Sequence, residues 1–162
     1  MHSNIYGLVK IQEPKAIEVE PFNENSIEYD DVSYFADYFK DNENNFEEEV
    51  KWLTNFLNLD QEDIIKDNGI IILRFTKNKV EEYLQSKYDH FMEKVENLTL
   101  EQFITDTYSL KESIEDEFGF HIYQDNQSMY NLDDFMRDLY RWTLNKQDVV
   151  YFQINGILDY HF

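Results

Sequence analysis

The strongest constraint on the fold of this chain is its excess of acidic side chains. Thirty-four Asp and Glu residues face fourteen Lys and Arg residues, so the formal net charge is -20 over 162 residues. Like charges on one compact body repel each other and lower its stability, and solubility alone needs a net charge of only about 2 to 8. A folded state must therefore carry these carboxylates on its exterior, and the excess indicates a function beyond folding.

Aromatic residues provide the material for a core. The chain contains 13 Phe, 12 Tyr and 2 Trp residues, whereas disordered acidic chains are poor in aromatics. Aromatic side chains bury large areas, and a length of 162 residues is ordinary for one domain. We therefore predict a single acidic α+β domain over residues 1–162.

Composition also restricts the cellular compartment. The chain has no cysteine, which excludes disulfides and cysteine-based zinc sites. Its N-terminus lacks a basic start followed by an apolar run, and no apolar stretch approaches the roughly 18 residues of a transmembrane helix. An anionic membrane surface would repel so acidic a protein. These features predict a cytoplasmic protein, in the host cell if a phage encodes it, with no membrane partner.

Short runs rich in β-branched and aromatic residues predict strands, and the run between the two prolines is predicted at a sheet edge. These runs are residues 5–11, 16–20, 70–75 and 120–123. Two further apolar runs, 149–154 and 157–162, are joined by Asn155 and Gly156. Because an Asn-Gly pair suits the two positive-φ positions of a type I′ turn, the sequence predicts a C-terminal β-hairpin.

Helical spacing and capping residues predict five helices. They cover residues 31–40, 46–57, 76–97, 99–118 and 131–145. Thr99 and Gln102 form a capping box at the start of the fourth helix. The third helix carries an apolar stripe made of Val80, Leu84, Tyr88, Phe91 and Val95. The predicted fold class is α+β, with a small, mainly antiparallel sheet that includes the C-terminal β-hairpin and packs with four or five helices.

Motifs that would indicate catalysis are missing. The four glycines are scattered, which excludes a glycine-rich phosphate loop. The acidic segment 60–69 fails as a calcium loop because alignment on Gly69 puts Ile64 and Lys66 at ligand positions. We therefore predict no enzyme, no catalytic residue, no cofactor and no metal. A carboxylate-dependent hydrolase stays open as an alternative, because so many carboxylates form pairs by coincidence.

The acidity is concentrated in the two ends of the chain. Residues 1–50 hold thirteen acidic and three basic residues, residues 51–100 hold nine and seven, and residues 101–162 hold twelve and four. Carboxylates at i and i+2 on a strand, or at i and i+4 on a helix, are about 6 Å apart, near the spacing of successive phosphates. Exposed Tyr residues suit interface anchors. The predicted partner-binding residues are Glu18, Glu20, Asp30, Asp31, Tyr34, Asp37, Tyr38, Asp41, Asp134 and Asp138.

In charge, size and composition the chain resembles the DNA-mimic proteins that mobile elements use against host restriction and CRISPR nucleases. The resemblance implies an anti-restriction or anti-CRISPR inhibitor that occupies the basic groove of a nucleic-acid-binding protein and does not itself bind nucleic acid. Carboxylates would replace phosphates as acceptors of charge-assisted hydrogen bonds from Arg and Lys. An immunity or antitoxin-type protein that neutralises a basic toxin is the alternative. The oligomeric state is left open.

The charge imbalance makes a prediction about stability. Raising the salt concentration from 0.01 M to 0.1 M shortens the Debye length from about 30 Å to about 10 Å and screens the self-repulsion of the acidic surface. We expect the melting temperature, measured by circular dichroism, to rise over this range. A melting temperature that stays flat or falls would mean that the carboxylates are already neutralised within the fold.

Overall fold

The computed structural model describes residues 2–33, 36–42, 45–112, 120–124 and 128–161. Within these ranges the fold is α+β, with a seven-stranded mixed sheet. The strands are β1 His2–Ile11, β2 Tyr38–Asp41, β3 Ile64–Asp67, β4 Ile70–Thr76, β5 Phe120–Gln124, β6 Met129–Asn131 and β7 Val149–His161. The α-helices are α1 Tyr29–Val32, α2 Phe46–Phe56, α3 Lys77–Glu96, α4 Leu100–Thr105, α5 Tyr108–Glu112 and α6 Leu132–Asp138.

The sheet has the strand order β3-β4-β7-β1-β5-β6. Strand β2 pairs with the C-terminal half of β7, while β4 pairs with its N-terminal half. Strands β1 and β5 run parallel, and the other pairs are antiparallel. The predicted α+β class is confirmed, but the prediction of a small, mainly antiparallel sheet is wrong. A parallel pair needs a long crossover, which the residues between β1 and β5 provide. The sequence did not predict this pair because a hydrophobic pattern does not reveal the direction of a strand.

The predicted C-terminal hairpin is also wrong, because β7 is one continuous strand through Asn155 and Gly156. Its pairing with β1 shifts register at this point, where Gly7 faces Gly156 and Leu8 faces Ile154. Such a bulge leaves Asn155 unpaired with β1 and changes which residues face each side of the sheet. Gly156 is required by a close backbone approach, since an added Cβ would collide with the carbonyl oxygen of Phe22.

The Asn-Gly hairpin of this protein lies elsewhere, between β3 and β4. Asn68 and Gly69 have φ angles of 50° and 81° and form a two-residue loop flanked by the paired residues Asp67 and Ile70. This is the conformation that Asn-Gly pairs favour. The chain contains two Asn-Gly pairs between apolar runs, and the local pattern alone does not show which of them turns.

Hydrophobic clusters cover both faces of the sheet. On the first face, α2, the start of α3 and α6 pack against β1, β4, β5 and β7 and form the larger cluster. On the second face, Ile5, Leu158 and Tyr160 pack beneath side chains from the segment that follows β1. The bulge in β7 explains this arrangement, because Ile154 and Ile157 lie on the first face while Leu158 lies on the second.

Several predicted elements end or begin differently. Residues 16–20 form no strand, and the helix predicted over residues 31–40 is replaced by the four-residue α1 and by β2. The helix predicted over residues 99–118 is interrupted after Thr105 and resumes as α5, and residues 113–118 lie outside the described part. The predicted helix over residues 131–145 is α6 followed by a π-helical turn. Helix α2, helix α3 and both capping residues, Thr99 and Asn131, are confirmed.

No helix in the described part of the chain is both long enough and apolar enough to cross a membrane.

The role of Gly156 is tested by a residue that tolerates positive φ but carries a Cβ. Asn is such a residue, so Gly69→Asn in the β3–β4 turn should lower the free energy of unfolding by less than about 1 kcal/mol. Gly156→Asn should lower it by about 1–3 kcal/mol, as overpacking typically does, because the clash involves the Phe22 backbone. Urea unfolding of both variants measures the difference, and equal stabilities would show that the backbones do not meet at Gly156.

Candidate partner-binding surface

The segment between β1 and α1, together with α1 itself, crosses the second face of the sheet. We call residues 12–33 the acidic strap. It contains seven acidic residues, Glu13, Glu18, Glu20, Glu24, Glu28, Asp30 and Asp31, and one basic residue, Lys15. Its net charge of -6 over 22 residues is a higher charge density than that of the whole chain. The strap is therefore the natural place to look for a functional acidic surface.

A buried glutamine holds the strap on the sheet. Gln153 lies in β7 and is only 2% exposed. Its side-chain Oε1 accepts a hydrogen bond from the backbone N–H of Ile17 at 2.9 Å, and its Nε2 donates to the carbonyl oxygen of Ile17 at 3.0 Å. The amide thus satisfies both backbone groups of one residue, as a neighbouring strand would. This explains why residues 16–20 have a strand-like pattern but pair with no strand.

Further bonds fix the strap on either side of this point. The backbone N–H of Ala16 donates to Asp67 Oδ2 at 2.8 Å. The N–H of Phe22 donates to the carbonyl oxygen of Asn155 at 3.0 Å, and the Asn155 side chain donates to the carbonyl oxygen of Glu20 at 2.9 Å. Because these bonds use backbone groups, the side chains of the strap are left to face the core or the solvent.

Apolar side chains of the strap face the sheet. Phe22 stacks on Tyr123 with the ring centroids 4.9 Å apart and an angle of 19° between the rings. Ile27 and Val32 are buried in the second-face cluster. Burial of such side chains stabilises the attachment by roughly 1.5–3 kcal/mol each. The strap therefore has an apolar inner side and an acidic outer side.

Six carboxylates of the strap are exposed. Glu18, Glu20 and Asp30, which were predicted to bind a partner, are exposed, and so are Glu13, Glu24 and Glu28. Among the residues that the structure describes, none of these six forms an ion pair. Sequence reasoning missed Glu24 and Glu28 because they lie in a segment with no regular pattern, although the charge density was a usable signal.

Most ion pairs of the described residues lie on the helical side and at the β3 edge, and Lys40 pairs with Asp159 between β2 and β7. Lys79 pairs with Asp60 at 2.5 Å, and Arg74 pairs with the buried Asp63 at 3.4 Å. Asp133, which is 3% exposed, accepts a hydrogen bond from Tyr83 at 2.5 Å. Two cations, Lys87 at 3.6 Å and Arg137 at 4.0 Å, also approach its carboxylate. Many of the few cations of the chain are thus used away from the strap.

Three residues that were predicted to bind a partner, Asp37, Tyr38 and Asp41, belong to β2 or directly precede it. The sequence pattern indicated that Asp37 and Asp41 share one face of a helix, and this prediction is wrong. Tyr38 is 46% exposed and stacks on His161, with the ring centroids 5.3 Å apart. Asp41 accepts a hydrogen bond from the backbone N–H of Glu24 at 2.8 Å, which ties β2 to the strap.

Of the other residues predicted to bind a partner, none is shown to be part of this surface. Asp134 and Asp138 lie on α6, in the helical layer on the opposite face. Asp134 pairs with Arg137 at 3.1 Å, and Asp138 is half-buried. Asp31 has its backbone in α1, but its side chain is outside the described part. Tyr34 also lies outside the described residues.

A histidine beneath the strap adds no positive charge at neutral pH. His121 lies on β5, and its Nδ1 is 3.2 Å from the hydroxyl oxygen of Tyr160. Burial lowers the pKa of His121 to about 4. Its imidazole is therefore neutral above this pH and does not offset the field of the strap carboxylates.

Within the described ranges, no group of three or more His, Asp or Glu side chains is arranged to hold a metal ion. Comparison with protein-family models, with curated proteins and with solved structures finds no match to this chain.

The role of Gln153 generates a prediction about local stability. Gln153→Met keeps the length of the side chain but removes both bonds to Ile17. We expect the free energy of unfolding to fall by about 1–3 kcal/mol, because two backbone groups lose their partner. Hydrogen exchange at the amide of Ile17 should become faster by tenfold or more.

The matched control is Gln85→Met, which removes an exposed side-chain bond to Asp89. An exposed bond of this kind contributes little, so this variant should match the wild type in stability and in Ile17 exchange. Unchanged Ile17 exchange in Gln153→Met would mean that the buried amide does not hold the strap.

Proposed function

We propose that this protein is an acidic inhibitor that occupies the basic groove of a nucleic-acid-binding protein, such as a nuclease or a CRISPR effector. The observation that carries the proposal is the strap, with six exposed carboxylates that form no ion pair among the described residues. A solvated protein surface ordinarily mixes both signs of charge. A surface of one sign is the form expected for a competitor of a phosphate backbone.

The way the strap is held favours a specific ligand over a diffuse field. Bonds from Gln153 and Asn155 and the stacking of Phe22 fix its backbone. A surface that is ordered before binding loses less conformational entropy when a partner docks. The carboxylates would then accept charge-assisted hydrogen bonds from Arg and Lys side chains, which are the groups that bind phosphate.

Tyr38 supports the same surface from β2. It is partly exposed beside the strap, and its stacking on His161 limits the freedom of its ring. Aromatic side chains that are rigid and partly exposed are frequent anchors of interfaces. We propose that Tyr38 contributes an apolar contact among the charged ones, while Asp134 and Asp138 take no part in this surface.

Charge reversal tests the proposal. Glu18→Lys, Glu20→Lys and Asp30→Lys together change the strap charge by +6. The control Glu48→Lys, Glu62→Lys and Asp148→Lys makes the same change at exposed residues outside the strap. The assay measures displacement of a labelled DNA duplex from DNA-cutting effectors, including CRISPR nucleases, by fluorescence anisotropy. We expect the wild type to displace DNA competitively, the strap variant to need at least tenfold more protein, and the control to need less than threefold more.

An equal loss of DNA displacement in both triple variants would indicate that a non-specific electrostatic field is responsible. This result would contradict a mimic whose shape fits the groove. Binding that inactivates the target without competing with DNA would favour the immunity-type alternative, because such a protein blocks another surface. The salt dependence gives a second check. A complex formed by charge pairing weakens steeply as salt rises, so inhibition by the wild type should fall between 0.05 M and 0.3 M salt.

A further inference from the structure

Exposed apolar side chains are concentrated in one part of the chain. Within the described residues, twelve large apolar or aromatic side chains are exposed, and six of them lie between residues 88 and 108. We call residues 88–108 the helical arm. The six are Tyr88, Val95, Leu100, Phe103, Ile104 and Tyr108.

The arm leaves the body of the protein along α3. Val80 and Tyr83 in the first turns of this helix are buried, but its later apolar residues Tyr88 and Val95 are 57% and 38% exposed. The stripe predicted to face the core therefore reaches the core only at its beginning. The sequence pattern identifies an apolar side of α3, on which Leu84 and Phe91 are half-buried and Tyr88 and Val95 are exposed.

Helix α4 is the clearest part of the arm. It has six residues, and none of them is buried. Leu100, Phe103 and Ile104 are 75%, 60% and 72% exposed, and their i, i+3, i+4 spacing places them on one side of the helix. A helix this short is marginal without tertiary packing. The capping box between Thr99 and Gln102 fixes its start, while its apolar side stays largely exposed.

The surface is large enough for docking. The six exposed side chains, at 38–75% of their full accessibility, present on the order of 600 Å² if each offers roughly 150–200 Å². The largest apolar patch on a typical monomer is about 300–600 Å² and is often functional. The exposed apolar area of the arm is therefore enough for the docking of a short segment.

The charges around this patch favour a cationic occupant. The arm contains five acidic residues, all exposed, and one lysine. The acidic residues are Asp89, Glu93, Glu96, Glu101 and Asp106, and none of them forms an ion pair within the described ranges. A second copy of this chain would bring the same five carboxylates and another charge of -20. An anionic membrane would be repelled for the same reason.

We propose that the helical arm is a docking surface for a cationic amphipathic helix of a partner protein. An apolar groove or face that receives the apolar side of a helix is a common mode of recognition. Lys and Arg beside the apolar stripe of the partner would face the five carboxylates of the arm. This inference does not depend on the proposed function of the strap, because it rests on different residues.

The probe is a labelled 14-residue peptide of Leu and Lys arranged at helical spacing, compared with a peptide of the same composition in scrambled order. Both have the same charge, so their difference reports the apolar contact. At 0.5 M salt, where surface charges are screened, we expect the amphipathic peptide to bind at least tenfold more tightly than the scrambled peptide in fluorescence anisotropy.

Two double variants locate the contact. Phe103→Ser with Ile104→Ser should weaken binding of the amphipathic peptide at least tenfold. The control, Ile17→Ser with Tyr29→Ser, removes side chains of the strap that are 48% and 50% exposed and should change binding less than twofold. All four side chains are exposed, so melting temperatures should stay near the wild-type value. Leu100→Ser, at the most exposed of these positions, provides a second arm variant if the double variant is unstable.

Equal binding of the two peptides, or binding that the arm variants do not weaken, would overturn the proposal. So would a wild-type protein that is dimeric by light scattering and becomes monomeric in the arm variant, since a second copy would then be the occupant. Loss of DNA competition in the strap variant with intact peptide binding would separate this surface from the proposed function.

Discussion

The contact between the strap and β7 is the interaction on which the rest of the second face depends. Gly156 leaves room for the backbone carbonyl of Phe22, and Gly7, which faces it, leaves room for the side chains of Phe22 and Asn155. Gln153, two residues before the bulge, binds the backbone of Ile17. Without this contact the apolar residues beneath the strap would be exposed. The acidic surface is therefore held by the apolar and amide groups of a strand that bears only one carboxylate of its own.

The distribution of cations along the chain explains why the strap remains acidic. The chain has only fourteen Lys and Arg residues, and several of them neutralise carboxylates at the β3 edge and between α3 and α6. The buried Asp133 alone is approached by Lys87 and Arg137. Since a buried carboxylate without partners is costly, folding draws cations to these sites. The strap keeps its full charge because its carboxylates stay in solvent, where their repulsion is weakest.

Sequence patterns predicted the elements whose stability is local or whose apolar side meets the core. Strand β4, helix α2, the start of α3 and the caps at Thr99 and Asn131 belong to this group. The patterns gave wrong predictions where a contact between residues distant in sequence determines the local structure. Residues 155–156 continue a strand because Phe22 crosses them, and residues 16–20 pair with a side-chain amide. The exposed acids of the strap were predicted in part, since charge is visible in the sequence, whereas the position of Asp134 on the other face follows from topology.

The two surfaces differ in the physics that would drive binding to each. The strap offers mainly carboxylates, with Ile17 and Tyr29 as its exposed large apolar side chains, so its charge interactions weaken as salt screens them. The arm combines apolar side chains with a rim of carboxylates, and apolar burial is not weakened by moderate salt. The helix that carries the arm begins in the first-face cluster, whereas the strap packs in the second. Because the two surfaces rest on different elements and respond differently to salt, two separate contacts are the simpler arrangement for a protein of this charge.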